Sequence, residues 1–241
     1  MRTLILCGGK GLRAYPHSLD VPKPLLEVGE RPVLAQVMEV FARQGFTEFV
    51  LAAGFKADRI ATFAYDLPGE WNVEVHDTGE DAPTGQRVAR CMDHMGETFF
   101  VTYGDGVGNV DLIDLLEFHR GHPGAVTMTT VPLPSPYGTV ETTRDGAVRH
   151  FREKPRLADH WINAGFFIFE SRAREWFVGG DLERETLPAL AEAGELYAYR
   201  HHGFWSSLDT YKDAIELGAL ADQPGGPPWL HLPAPSRVMA L

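Results

Sequence analysis

The chain has 241 residues, 44% of them hydrophobic, and a formal net charge of −11 at pH 7. That is material for one large domain, and the acidic balance argues against a nucleic-acid backbone or an anionic membrane as partner, while leaving room for a small anion held by local cations or a divalent metal. No apolar run approaches the ~20 residues of a membrane span, and the apolar stretch after Arg2 is too short for a signal sequence, so a cytoplasmic protein is expected.

In chain order, TLILC (3–7) reads as a buried strand that stops at Gly8, and RPVLAQVMEVFARQG (31–45) carries helical apolar spacing up to Gly45. EFVLAA (48–53) is a strand, ADRIATFAYDL (57–67) a helix, and WNVEVHD (71–77) an alternating strand. QRVARCMDHM (86–95) is a helix, TFFVTYGD (98–105) a buried strand, and VDLIDLLEFHRGH (110–122) an amphipathic helix. This alternation predicts an α/β layer architecture with a mainly parallel sheet.

The pattern then changes. GAVTMTTVPL (124–133), GTVETT (138–143) and AVRHFREK (147–154) are strands without helices between them, with Asp145-Gly146 as a hairpin turn signal. WINAGFFIFES (161–171) is a strand, LERETLPALAEAG (182–194) a helix, LYAYRHH (196–202) a strand and LDTYKDAIELGALA (208–221) the last helix. Residues 222–241 are crowded with proline and glycine and read as a linker and tail, with Trp229, Leu230 and Leu232 as an apolar surface for a homo-oligomer. Cys7 and Cys91 read as buried, reduced thiols.

The loop from Gly8 to Lys23 admits three readings. Gly9, Gly11 and Ala14 fit a loose dinucleotide fingerprint, but that loop must open a helix, and Pro16, Pro22 and Pro24 forbid a long one. A Walker A loop fails because Gly11 follows Lys10 where Ser or Thr is required. The third reading is a phosphate-gripping loop. Gly8, Gly9 and Gly11 let backbone N–H groups approach a triphosphate, Arg13 offers a planar fork of donors, and Lys23 brings a charge stiffened by two prolines. A plain glycine turn is the competing explanation for any one of these residues, but not for the set.

Asp105 lies just past a buried strand, at the edge where ligands of open α/β sheets gather. Asp209 precedes the last helix, where it serves equally as an N-cap. Two aspartates from distant segments also suit Mg²⁺, which takes one or two carboxylates plus water. The histidines show no zinc spacing, and no serine-hydrolase elbow is present.

These motifs resemble those of the sugar-1-phosphate nucleotidyltransferases, whose opening pattern is L-x-G-G-x-G-T-R…P-K-P. Gly8, Gly9, Gly11, Arg13, Pro22, Lys23 and Pro24 match it, and Leu12 departs from the usual Thr. TYGDGV, WINAGFF and GFWSSLDTYKD are similar to blocks of the glucose-1-phosphate cytidylyltransferase family, and the likeness spans about Leu4 to Leu217. The resemblance implies a three-layer Rossmann-like fold with a mixed, mainly parallel sheet and a small antiparallel sugar-binding insertion. It divides the chain into a catalytic domain, 1–221, with a nucleotide part to about 122 and a sugar-phosphate part after it, and a tail, 222–241.

It implies Mg²⁺ on Asp105 and Asp209, with Arg13, Lys23 and Asp105 catalytic. Nucleotide contacts are expected at Leu6, Gly8, Gly9, Gly11, Leu12, Arg13, Thr84, Gly85, Gln86, Tyr103 and Gly104. Sugar-phosphate contacts are expected at Gly138, Glu153, Lys154 and Asn163. The relatives tend to carry Gly-Gly-Arg where this chain has Gly85-Gln86-Arg87, and Arg87 is read either within that base-reading segment or as a helix-surface charge. The implied reaction joins a sugar 1-phosphate, first glucose 1-phosphate, to a nucleoside triphosphate, first CTP. UTP, dTTP or GTP with another sugar such as a heptose, and a catalytically silent sensor, are the alternatives.

Overall fold

The structure, a computed structural model, describes residues 1–11, 21–67, 69–178 and 180–233. Its elements in chain order are β1 (Thr3–Leu6), β2 (Glu27–Val28), β3 (Arg31–Pro32), α1 (Val33–Ala42), β4 (Glu48–Ala53), α2 (Ala57–Tyr65), β5 (Asn72–Asp77), α3 (Thr84–Cys91), β6 (Thr98–Tyr103) and β7 (Gly106–Gly108). They continue with α4 (Leu112–Arg120), β8 (Val126–Pro134), β9 (Thr139–Thr142), β10 (Val148–Arg152), β11 (Arg156–Glu170), α5 (Leu187–Glu192), β12 (Leu196–Arg200), β13 (Trp205–Ser207) and α6 (Tyr211–Ala221).

Seven strands form the central sheet in the order β12-β8-β11-β6-β1-β4-β5. β1 runs parallel to β4 and β6, β4 to β5, and β8 to β12, while β11 runs against both β6 and β8. Alternate side chains of each strand therefore feed two cores. Ile5, Phe49, Leu51 and Phe100 pack with Val37 and Phe41 of α1, Ile60 of α2, Leu115 of α4 and Leu217 of α6. Leu4, Val50, Ala52, Phe99 and Val101 pack with Val88 and Cys91 of α3 and with Leu187 and Leu190 of α5. That is the expected three-layer arrangement, and it follows from strands that are apolar on both faces.

β9 and β10 form a separate antiparallel hairpin whose turn places Gly146 at φ +89°. β11 is longer than the apolar period indicated, beginning at Arg156, and its first residues pair with the end of β8. Two short pairings had no sequence signal: β2 with β3, and β7 with β13.

The end of the chain needs a correction. Residues 222–233 are not a loose tail, and Trp229 does not face outward. Trp229 is 1% exposed, sits in a short 3₁₀ turn (Pro228–Leu230) and packs beside Phe204, with ring centroids 5.7 Å apart. The Asn109 side chain donates to the His231 carbonyl at 2.8 Å, pinning the segment to the end of β7. The proline crowding marked an irregular backbone, but an indole is too large an apolar surface to leave in water when a groove beside α1 can bury it. No helix among the described residues is long and apolar enough to cross a membrane.

Candidate active site

β1, β4, β5 and β6 end on the same edge of the sheet, and the loops leaving them wall a cavity of about 760 Å³. Its lining includes Leu6 to Gly11, Lys23, Thr84, Arg87, Tyr103, Asp105, Asn163, Glu183 and Asp209. Arg13 and Leu12 lie outside the described residues.

Asp105 and Asp209 meet because β7 pairs antiparallel with β13, with Gly106 opposite Ser207. The Leu208 N–H donates to the Asp105 carbonyl at 2.8 Å, locking the two segments where they leave the ribbon. Asp209 does not cap the last helix. Thr210 does, accepting from the Asp213 N–H while Asp213 accepts from the Thr210 N–H, a complete capping box. The Asp209 carboxylate points into the cavity instead, with Ser207 Oγ donating to its Oδ2 at 3.0 Å.

Lys23 lies between the two acids. It opens a one-turn 3₁₀ helix (Lys23–Leu25) fixed by Pro22 and Pro24, and it is 5% exposed. Its Nζ is 2.6 Å from Asp105 Oδ2 and 2.9 Å from Asp209 Oδ1. Both carboxylates therefore converge on one cation position, and the donor set, two hard oxygens open to a water-accessible cavity, is of the kind a divalent cation such as Mg²⁺ takes.

The glycine loop is shaped by what lies behind it. Gly11 sits at φ +60°, and a Cβ there would fall 2.6 Å from the Lys23 Cβ, so glycine is needed for the loop to close over the lysine stem. A Cβ on Gly8 would fall 2.1 Å from Arg87 Nη1, whereas one on Gly9 would meet nothing within 4 Å. Gly9 is thus the member of the loop whose missing side chain opens space toward the cavity.

Arg87 is not a surface charge. It is 3% exposed, and its guanidinium donates to five acceptors: the carbonyls of Ala53 (3.0 Å), Gly79 (2.9 Å), Gly8 (2.9 Å) and Glu80 (3.1 Å), and Thr78 Oγ1 (2.6 Å). It ties the turns after β1, β4 and β5 into one floor. Burial lowers its pKa from the ordinary arginine value, which remains too high for the charge to be lost at neutral pH. Periodicity places Arg87 on α3, but its acceptors are loop carbonyls that no sequence pattern reports. Burial pushes the thiols of Cys7 and Cys91 up, to about 12 and about 11, so both stay protonated.

The base-reading segment is engaged with a partner the sequence did not reveal. The Gln86 N–H donates to the Gly180 carbonyl at 3.1 Å, and a Cβ on Gly85 would fall 3.0 Å from that same oxygen. Neither Gly85 nor Gln86 lines the cavity; Gly85 is buried by this contact and the Gln86 amide is occupied. Thr84 does line it, and donates to Glu183 Oε2 at 2.8 Å. Gly104 packs on Cys7 and Pro24 behind the wall.

Asn163 lines the cavity, its Oδ1 accepting from the Gly165 N–H at 2.8 Å. Tyr103 donates to Glu183 Oε1, and burial together with that carboxylate keeps the phenol well above its usual range, so it remains a donor. The hairpin residues Gly138, Glu153 and Lys154 are not in the cavity wall. They are neighbours of one another: a Cβ on Gly138 would lie 3.0 Å from Glu153 Oε2, and Lys154, exposed, turns the chain at φ +44°.

An αβα sandwich with a glycine loop, a braced lysine and two convergent aspartates at one sheet edge is the frame of a nucleotide-handling transferase. The chain belongs to the nucleotidyl transferase family, whose model matches residues 2–219. It is 35% identical to the probable glucose-1-phosphate cytidylyltransferase of Bacillus subtilis, covering 92% of this chain and 97% of that protein. It is 31% identical to the glucose-1-phosphate cytidylyltransferase of Salmonella typhimurium, covering 95% and 98%. Among solved structures, HddC from Yersinia pseudotuberculosis complexed with GMP-PN superimposes with a TM-score of 0.70 at 23% identity, covering 90% of this chain and 98% of that one, a likeness of fold.

Proposed function

We propose that this chain joins a sugar 1-phosphate to a nucleoside triphosphate, releasing pyrophosphate, by in-line attack of the sugar phosphate oxygen on the α-phosphorus. The observation that carries the reading is the convergence of Asp105 and Asp209 on one cation position, filled here by the Lys23 ammonium, in the cavity that the glycine loop lines. A phosphate monoester is already a competent nucleophile, so the chain need not supply a general base. Its task is positioning and charge neutralisation.

Asp105 and Asp209 would hold Mg²⁺, which when bound supplies positive charge on the phosphate oxygens. Lys23, which already lines the cavity, would then be relieved of its two carboxylates, and its ammonium would offset charge on the α-phosphate. Backbone N–H groups around Gly9 receive the triphosphate, and Arg13 would steady the leaving pyrophosphate. The resemblance would assign the sugar phosphate to Gly138, Glu153 and Lys154. CTP with glucose 1-phosphate is the first pair to try, because relatives at 31% and 35% identity carry that name.

The test is a matrix of five nucleoside triphosphates against several sugar 1-phosphates with Mg²⁺, scored by pyrophosphate release. Lys23→Ala should lose about 10²- to 10³-fold in kcat while keeping its fold by circular dichroism. Turnover near that of the unaltered protein, or no pyrophosphate from any pair, would contradict the proposal. Nucleotide or sugar phosphate binding without turnover would point to the sensor instead.

A further inference from the structure

Glu183 belongs to none of the motifs that marked the site, yet the structure gives it a built position. It lies in the π-helical turn Leu182–Thr186, which Asp181 caps by accepting from the Arg184 N–H at 2.8 Å. That turn docks on the start of α3. The Leu182 N–H donates to Thr84 Oγ1 at 3.0 Å, which commits the single Thr84 proton to Glu183 Oε2, at 2.8 Å. The other carboxylate oxygen accepts from the Tyr103 hydroxyl at the end of β6. Both oxygens are oriented by protein donors, each keeps acceptor capacity for a further hydrogen bond, and Glu183 lines the cavity.

The cavity offers two kinds of group. Lys23 with Asp105 and Asp209, where a bound cation would sit, and the backbone N–H groups of the glycine loop suit phosphates. Glu183 stands beside Tyr103 and Asn163, with no cation of the described residues against its carboxylate. A fixed carboxylate repels phosphate and rewards neutral groups that donate two hydrogen bonds. The hydroxyls of a sugar ring are such groups, and a side chain that would be left with unmatched acceptors rejects analogues lacking them.

We propose that Glu183, held by Thr84 and Tyr103, is a specificity-determining residue that accepts hydrogen bonds from hydroxyls of the sugar in the sugar 1-phosphate. The inference rests on the sugar-1-phosphate reading above.

The experiment compares the unaltered chain with Glu183→Gln, which keeps the shape and replaces one acceptor by a donor. Kinetics are measured in each substrate separately, and binding of the sugar 1-phosphate alone by calorimetry. The expected result is a rise of about tenfold or more in KM and Kd for the sugar 1-phosphate, with kcat and the KM for the nucleoside triphosphate within about threefold. A series of deoxysugar 1-phosphates supplies the readout a merely structural role would not move. The hydroxyl read by Glu183 costs affinity when removed from the substrate of the unaltered chain and costs little in the variant. Tyr103→Phe, which removes one of the two clamps, should raise the Kd of the sugar 1-phosphate alone by a smaller factor and covers the case in which Glu183→Gln folds poorly. An unchanged sugar Kd, equal deoxysugar penalties in both proteins, or a rise confined to the nucleotide KM would overturn the inference. If the unaltered chain turns nothing over but its sugar-phosphate affinity falls in Glu183→Gln, the enzyme reading fails and the role of Glu183 stands. If turnover is normal and the sugar KM is unchanged in the variant, the enzyme reading stands and the role of Glu183 fails.

Discussion

Replacing Arg87 by Met tests whether the floor of the cavity depends on one buried guanidinium. The substitution keeps an unbranched apolar stem of similar bulk and removes all five donors. Not every acceptor is orphaned by it. The Ala53 carbonyl also accepts from the Thr78 N–H at 2.9 Å and from Thr78 Oγ1, and the Gly8 carbonyl also accepts from the Phe55 N–H at 2.9 Å. The Gly79 carbonyl keeps only a long bond from the Ala82 N–H, at 3.4 Å, while that of Glu80 is partly solvated. Losses therefore sit at the low end of the range for unmade buried bonds, about 1 kcal/mol each, and part is returned because the guanidinium no longer has to be desolvated. The expected cost is about 3 kcal/mol, equivalent to a melting point lower by roughly 6–12 °C in a chain of this size. Urea unfolding followed by circular dichroism measures it as a shift of midpoint at constant slope. Arg87→Lys, with three donors at a single point, should recover about half at most. A cost under about 1 kcal/mol for Arg87→Met would refute the view that this side chain braces the three turns.

Other outcomes follow from burial and titration. Trp229→Ala removes a side chain that is 1% exposed and should cost about 3–5 kcal/mol, and a chain ending at residue 221 should show a lower melting point than one ending at 233, measured by calorimetry. His119 is 3% exposed and has its pKa lowered from 6.5 to about 4, chiefly by burial and then by His122, with Glu170 opposing and Arg172 and Arg120 adding to the depression. The unfolded chain therefore binds the proton that the folded chain excludes, and stability falls as pH drops from about 6.5 toward about 4. His119→Asn should remove about 2 kcal/mol of that loss between pH 7 and pH 5, read from urea midpoints at both pH values, and an unchanged pH slope would contradict it. Cys7 and Cys91, buried and protonated, should resist alkylation at pH 8 in the native protein and react on unfolding in urea, as followed by mass.

Local sequence carried the layers, and the resemblance built on short motifs carried the family. Period-2 and period-3.6 patterns located the major strands and helices because burying an apolar face is a local demand on residues a few positions apart. Proline near Lys23 likewise announced a rigid cation, because its restriction on φ needs no partner. What the chain did not disclose depends on partners far away. Local sequence left Asp209 equally a helix cap or a metal ligand until Thr210 and Asp213 were seen to do the capping, and it meets Asp105 only through the pairing of β7 with β13, two strands too short to leave a periodic trace. Arg87 read as part of the base-reading segment or as a surface charge, because four of its five acceptors are backbone carbonyls, which every residue carries and no side-chain pattern encodes. Trp229 looked like a tail residue because the groove that receives it is made by distant segments. Glu183 was one acid among many until the fold set Thr84 and Tyr103 against it. Identity and spacing along the chain determined which chemistry was present. Only the tertiary structure decided which groups share a cavity, since hydrogen-bond pairing and close packing act between atoms in space, with no regard to their separation in sequence.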